Sequence, residues 1–264
     1  MWLDKLAVIS ALILTPIAGA VAEQLTCDGF PYLDDTLSKD QRGKMLVEHG
    51  GICLREGKPL RSVSLFSELI GLEPDNMEAY LRRGVAYVQS GQTDLAIADF
   101  SHVISRTPEI VEAWYDRGAA FAARGQYEQA ISDLTESIRL EPQFAQALCT
   151  RGFALLRKGD YDRALADLST GIRQDPNVAL CYYARGEVLF IKADYRKAVD
   201  DFTRGLRLKA NVEGLTKRGE AYERLGNKEK ALSDFRAALQ LAPSFQRARE
   251  GINRLSEADR RDQD

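Results

Sequence analysis

The chain has 264 residues, with 36 lysines and arginines against 39 aspartates and glutamates, and 45% of its residues are hydrophobic. A formal charge of −3 without a separate basic cluster disfavours nucleic acid as a partner. Only two histidines and four cysteines are present. We therefore expect no metal and no cofactor, and the composition disfavours an enzyme.

Residues 1–22 have the order of a secretory signal peptide. Lys5 precedes an apolar stretch from Leu6 to Leu14, and the small residues Ala20 to Ala22 end the segment. This Ala-Val-Ala fits the small-residue pockets of a signal peptidase, so we expect a mature protein that begins at Glu23. The protein is then exported, to the periplasm in a bacterium and otherwise by secretion. The alternative is an uncleaved membrane anchor, for which the segment is short and interrupted by Pro16.

Residues 23–42 are predicted to be an irregular segment. Export would also determine the state of the cysteines in and after this segment. An oxidising compartment favours cysteine pairing. A disulfide between Cys27 and Cys53 would tie this segment to the first helical unit and contribute about 2–4 kcal/mol. Cys149 and Cys181 lie 32 residues apart and either face each other on neighbouring units or are small buried residues. We favour the buried alternative for this second pair.

A repeat with a period close to 34 residues occupies most of the chain. Each unit has a glycine at one register position, a small residue twelve positions later and a phenylalanine or leucine four positions after that. The glycines are Gly50, Gly84, Gly118, Gly152, Gly186 and Gly219. Most units end in a proline, and their apolar residues follow the spacing of two helices joined by a short turn. Such a hairpin buries its apolar face only by stacking on its neighbours.

This period and this order of glycine, alanine, phenylalanine and proline resemble the tetratricopeptide repeat. The resemblance covers six units, at residues 43–76, 77–110, 111–144, 145–178, 179–211 and 212–245. It implies an all-α, right-handed superhelical solenoid whose repeats each contain a helix A and a helix B. An apolar stripe predicts a C-terminal capping helix at residues 246–258, and residues 259–264 form a charged tail.

One arginine and one aspartate recur in every unit from the second to the sixth. The arginines are Arg83, Arg117, Arg151, Arg185 and Arg218, and the aspartates are Asp99, Asp133, Asp167, Asp201 and Asp234. Because their register is fixed, we interpret them as a structural ladder of ion pairs between adjoining helices rather than as a binding code.

The resemblance also implies a concave groove lined by the A helices. Its groove positions, carried over to this sequence, include Tyr115, Phe153, Arg157, Tyr183, Glu187, Phe190, Glu220 and Arg224. An apolar, aromatic middle with a charged C-terminal part suits an extended segment or an amphipathic helix of another protein. The lysine and asparagine that grip a C-terminal carboxylate in the best-known variant of the family are absent. Packing between A helices explains the same residues equally well, because groove and packing positions adjoin on a helix.

The sequence thus predicts an exported scaffold that binds a protein or peptide through its groove and catalyses no reaction. One alternative is an assembly factor that an uncleaved first segment anchors to the membrane. A second is an accessory hydrolase, for which no nucleophile with a partner base can be assembled. Self-association through the edges of the solenoid is a further alternative.

Overall fold

The computed structural model describes residues 26–29 and 37–261, so the predicted signal peptide lies outside the described residues. The described residues form a short 3-10 helix at Cys27–Gly29 and thirteen α-helices, and they contain no strand. The α-helices are α1 (Lys39–Arg55), α2 (Pro59–Leu72), α3 (Met77–Gln89), α4 (Thr93–Arg106), α5 (Val111–Ala123), α6 (Tyr127–Leu140), α7 (Ala145–Lys158), α8 (Tyr161–Gln174), α9 (Ala179–Ile191), α10 (Tyr195–Leu208), α11 (Val212–Arg224), α12 (Lys228–Leu241) and α13 (Gln246–Arg261). The all-α repeat fold is therefore confirmed.

The chain divides into two compact units, residues 1–136 and residues 137–264, and the division falls within α6. We call them unit 1 and unit 2, the odd-numbered helices A helices and the even-numbered ones B helices. In unit 1, α1 packs on α2 and α3 on α4, and α3 and α5 stack on the preceding hairpins. In unit 2, α7 packs on α8, α9 on α10 and α11 on α12, and α13 packs on α12.

Local sequence sets most helix ends. The side chains of Asn76, Asp160 and Asn227 accept a hydrogen bond from the backbone N–H three residues later and so cap α3, α8 and α12. Gly159 has a φ of 82° just after α7, a conformation that costs glycine little. Ala193 has a φ of 62° at the corresponding turn after α9, which is the one non-glycine residue with positive φ among the described residues.

Two predicted boundaries need correction. Helix α1 begins at Lys39, inside the segment predicted to be irregular, because Ser38 and Gln41 form a reciprocal capping box that starts the helix early. Helix α13 continues to Arg261, three residues beyond the predicted end at residue 258. The capping helix thus includes half of the segment that was predicted to be a charged tail.

The glycines and large apolar residues that recur in each repeat form the contact between an A helix and its B helix. A Cβ added to Gly152 would lie 2.6 Å from Leu168 Cγ, and one added to Gly186 would lie 2.8 Å from Phe202 Cε1. Leu168 and Phe202 are fully buried. Glycine is therefore required at this position because the B-helix side chain occupies the place of a Cβ.

The predicted ladder of ion pairs is confirmed. Each arginine donates two hydrogen bonds to both carboxylate oxygens of the aspartate 16 residues later, as in Arg83–Asp99, Arg117–Asp133, Arg151–Asp167, Arg185–Asp201 and Arg218–Asp234. Arg83 also donates to Ser67 Oγ at 3.1 Å, and Arg185 donates to Ser169 Oγ at 3.3 Å. Each of these two arginines therefore joins three consecutive helices.

The cysteines form two pairs at disulfide-bonding distance. Cys27 pairs with Cys53 as predicted, with a Cα–Cα distance of 4.7 Å, and so holds the 3-10 helix against α1. Cys149 and Cys181 are both fully buried, but they also form a pair, with a Cα–Cα distance of 4.9 Å. The preference for unpaired cysteines there was wrong. Gly171 on α8 leaves room for both sulfurs, because a Cβ there would lie 2.6 Å from Cys149 Sγ.

Candidate protein-binding face

The A helices of unit 2 lie side by side, with α7 against α9, α9 against α11 and α11 against α13. We call the surface that they form the A-helix face of unit 2. Seven of the eight predicted groove residues belong to these helices. The eighth, Tyr115, belongs to α5 in unit 1.

Three of the predicted aromatic residues lie in the core. Tyr115 is 2% exposed, Phe153 6% and Tyr183 4%. The Tyr183 hydroxyl donates a hydrogen bond of 2.5 Å to the Lys209 carbonyl, and a Cβ on Gly205 would lie 3.0 Å from the tyrosine ring. Burial raises the pKa of Tyr183, so the phenol stays protonated. Packing therefore explains these three residues, and they offer little surface to a ligand.

The charged groove residues form a network across three A helices. Glu187 Oε1 on α9 lies 3.0 Å from Arg157 Nη1 on α7 and 3.0 Å from Lys217 Nζ on α11. The Glu187 and Lys217 side chains are 15% and 16% exposed. One carboxylate thus fixes two cations at the surface, which limits the freedom of all three side chains.

Two further ion pairs join α11 to the capping helix α13. Arg247 donates two hydrogen bonds of 2.6 Å to Glu220, and Arg254 donates hydrogen bonds of 3.2 and 2.9 Å to Glu223. The sequence predicted Glu220 but missed both arginines. Arg254 lies 34 residues after Glu220, so extending the repeat register into α13 would have found it.

Arg224 has different surroundings, at the end of α11. Its guanidinium carbon lies 6.0 Å from the centre of the Phe190 ring and 5.8 Å from that of Tyr195. The two rings meet edge to face, with centroids 5.2 Å apart. Arg224 Nη1 lies 3.4 Å from the Tyr195 hydroxyl, and Arg224 has no carboxylate partner among the described residues. We call Arg224, Phe190 and Tyr195 the Arg224 shelf.

The A helices of unit 1 present a different surface. Leu81, Val85 and Val88 on α3 are half-buried, and Ala119 is half-buried on α5. Asp116 on α5 is partly buried and has no cationic partner among the described residues. Burial raises the pKa of Asp116 to about 7, and the negative charge of Glu112 contributes to the increase.

Three further observations bear on chemistry. No group of three histidine, cysteine, aspartate or glutamate side chains in the described ranges is arranged to hold a metal ion. His49 is buried in α1, and the His102 ring lies 4.3 Å from that of Tyr80. None of the described helices combines the length and hydropathy that a membrane span requires.

Family models match three stretches of the chain. A tetratricopeptide repeat model matches residues 54–101, a TPR repeat model matches residues 118–159, and a model described as the ETO1 C-terminal domain matches residues 156–260. A comparison with curated protein sequences found no match.

Solved structures of helical repeat proteins share the fold. PilF of Pseudomonas aeruginosa superposes with a TM-score of 0.71 at 15% identity, over 82% of this chain and 99% of that chain. A chain of the APC/C hetero-tetramer Cut9-Hcn1 superposes with a TM-score of 0.71 at 20% identity, and the match covers 82% of this chain but only 43% of that longer one. YrrB, described as a TPR protein with an unusual peptide-binding site, gives a TM-score of 0.54 at 16% identity, over 71% of this chain and 97% of that chain. The family models thus recognise tetratricopeptide repeats in this chain, and the solved structures share its all-α repeat fold.

Proposed function

We propose that this protein is an exported scaffold that binds another protein through the A-helix face of unit 2 and catalyses no reaction. Proteins with tetratricopeptide repeats commonly act as interaction scaffolds. The observation that carries the proposal is the network of Arg157, Glu187 and Lys217, which places charged groups in fixed positions across three helices. A fixed surface loses little conformational entropy when a partner binds.

The charges on this face also favour specific binding. Charged groups at an interface select partners of complementary charge and disfavour others. Phe190 is half-buried on the same face and Ile191 is 46% exposed, so apolar contacts are available beside the ion pairs. Such a mixture of apolar and charged groups suits a protein segment better than a small apolar ligand.

Export is supported by the pattern of residues 1–22 and by the two cysteine pairs, which an oxidising compartment would favour. The N-terminal residue of the protein purified from its natural host tests this part of the proposal. A chain that begins at Glu23 supports export with cleavage. A chain that keeps residues 1–22 would instead favour the membrane-anchored assembly factor.

Photo-crosslinking in the natural host tests the binding face. A benzophenone amino acid replaces Phe190 on the A-helix face of unit 2 and, as the matched control, Leu241, which is 59% exposed on the B helix α12. We expect an adduct with a second protein from position 190 and none from position 241. Adducts from position 241 alone would contradict the proposed face. An adduct between two copies of this chain would show self-association. Turnover of a substrate by the purified protein would instead favour the accessory hydrolase.

A further inference from the structure

We infer that the Arg224 shelf binds an acidic segment of the partner protein, in which aspartate or glutamate residues alternate with apolar ones. The inference rests on the proposed function and assigns a chemistry to one end of the same face. It concerns Phe190 near the end of α9, Tyr195 at the start of α10 and Arg224 at the end of α11, and not the middle of the A helices.

The first argument is the charge balance of the face. Four other cations on this face, Arg157, Lys217, Arg247 and Arg254, each contact a carboxylate. Arg224 contacts only the Tyr195 hydroxyl, at 3.4 Å, although a guanidinium carries five N–H donors. Glu220 and Glu223, which lie on the same helix as Arg224, already pair with Arg247 and Arg254, so neither carboxylate is bound to Arg224. An acidic group supplies the missing acceptor.

The second argument is the orientation of the guanidinium. The rings of Phe190 and Tyr195 lie 6.0 and 5.8 Å from the Arg224 guanidinium carbon, within the range of cation–π attraction. The edge-to-face contact between the two rings holds both in place. A guanidinium held in this way presents a planar pair of donors, which matches the two oxygens of a carboxylate.

The third argument is the apolar surface beside the charge. Ile191 follows Phe190 in sequence and is 46% exposed, and Leu225 follows Arg224 and is 40% exposed. A segment in which acidic and apolar residues alternate offers both kinds of side chain at neighbouring positions. Such a segment would place a carboxylate at Arg224 and apolar side chains against Ile191 or Leu225.

Fluorescence anisotropy with the full mature chain tests this inference. The probe is a labelled peptide in which aspartate alternates with leucine, and its matched control carries asparagine in place of aspartate. We expect the aspartate peptide to bind and the asparagine peptide to bind at least tenfold more weakly. Arg224→Gln should weaken binding of the aspartate peptide about tenfold, the loss expected for one charge-assisted bidentate contact. Arg224→Lys, which keeps the charge but loses the planar donors, should weaken it by a smaller factor.

Arg236→Gln is the matched control variant, because Arg236 is an exposed arginine on the B helix α12. It should leave the affinity within about twofold of that of the parent, well below one tenfold step. Equal losses in Arg224→Gln and Arg236→Gln would overturn the inference in favour of general attraction between charges. Equal binding of the two peptides, or no binding of the aspartate peptide, would also overturn it. The crosslinks from position 190 report a nearby partner whatever its chemistry, and so they test the proposed function. An adduct there without binding of the acidic peptide would overturn this inference and leave the proposed function intact.

Discussion

The two units share one scaffold and differ on the face that their A helices present. Val85 in unit 1 and Glu187 in unit 2 occupy the same register position, 102 residues or three repeats apart. Val85 belongs to a half-buried aliphatic surface, whereas Glu187 holds two cations. The residues just before them, Gly84 and Gly186, both pack against a phenylalanine of the B helix. Adjacent positions on one helix thus have separate roles, and the face varies while the scaffold stays constant.

The cysteine pairs extend this comparison. In unit 1, Cys27 and Cys53 hold a short 3-10 helix against α1, at one end of the repeats. In unit 2, Cys149 and Cys181 join two consecutive A helices inside the core. One pair therefore secures a terminus, and the other secures the helices that carry the proposed binding face.

The largest expected effect comes from the ladder and tests whether the scaffold is shared. Asp99→Ala in unit 1 and Asp201→Ala in unit 2 should each lower the free energy of unfolding by about 3–5 kcal/mol, because each leaves a largely buried arginine without its carboxylate. Thermal and denaturant unfolding measure the loss. Ser233→Ala, at an exposed position of α12, is the control and should change little. A loss confined to one unit would show that the two scaffolds differ.

The cysteine pairs should give a smaller effect. Replacing Cys27 and Cys53 by alanine, or Cys149 and Cys181 by alanine, should cost about 2–4 kcal/mol in each case, because an unfolded chain without the cross-link has more conformations. Hydrogen exchange distinguishes the two variants. Loss of protection should stay within α1 for the first pair and should extend over α7, α8 and α9 for the second. A parent protein whose melting temperature does not respond to a reductant would contradict both expectations.

The smallest expected effect contrasts Asp116 of unit 1, which has no cationic partner among the described residues, with the paired Glu187 of unit 2. The raised pKa of Asp116 means that the folded state holds this proton more tightly than the unfolded state, so stability falls as the pH rises from about 4 to about 7. Asp116→Asn removes this dependence. At pH 8 the variant should be more stable than the parent by about 1–3 kcal/mol, after allowance for partial exposure, and near pH 4 the difference should vanish.

Glu187→Gln is the matching variant in unit 2, and its effect on stability should have the opposite sign. Because Glu187 contacts Arg157 and Lys217, Glu187→Gln should lower the free energy of unfolding at pH 8. Asp116→Asn should raise it at the same pH. Thermal unfolding of the two variants and the parent at several pH values checks both signs. The same sign for both variants would remove the contrast between the two faces.

The sequence alone predicted the parts of the molecule that repeat. The glycine register, the helix pairs and the ladder follow from it because each hairpin contacts only its neighbours, so the same contact demands the same residue about 34 residues later. Even the missed Arg254, which lies one period after Glu220 and pairs with Glu223, was within reach of this argument. The early start of α1 also had a local signal, the capping box of Ser38 and Gln41.

Only the tertiary structure decided what each face residue does. Tyr183 was equally compatible with the groove and the core, and its burial depends on two glycines, Gly205 and Gly214, that leave space for its ring. Pairing of Cys149 with Cys181 depends likewise on Gly171. Arg224 has no carboxylate partner among the described residues, and the acids Glu220 and Glu223 on the same helix pair with Arg247 and Arg254 instead. These outcomes depend on packing between side chains distant in sequence, which a repeat pattern does not specify.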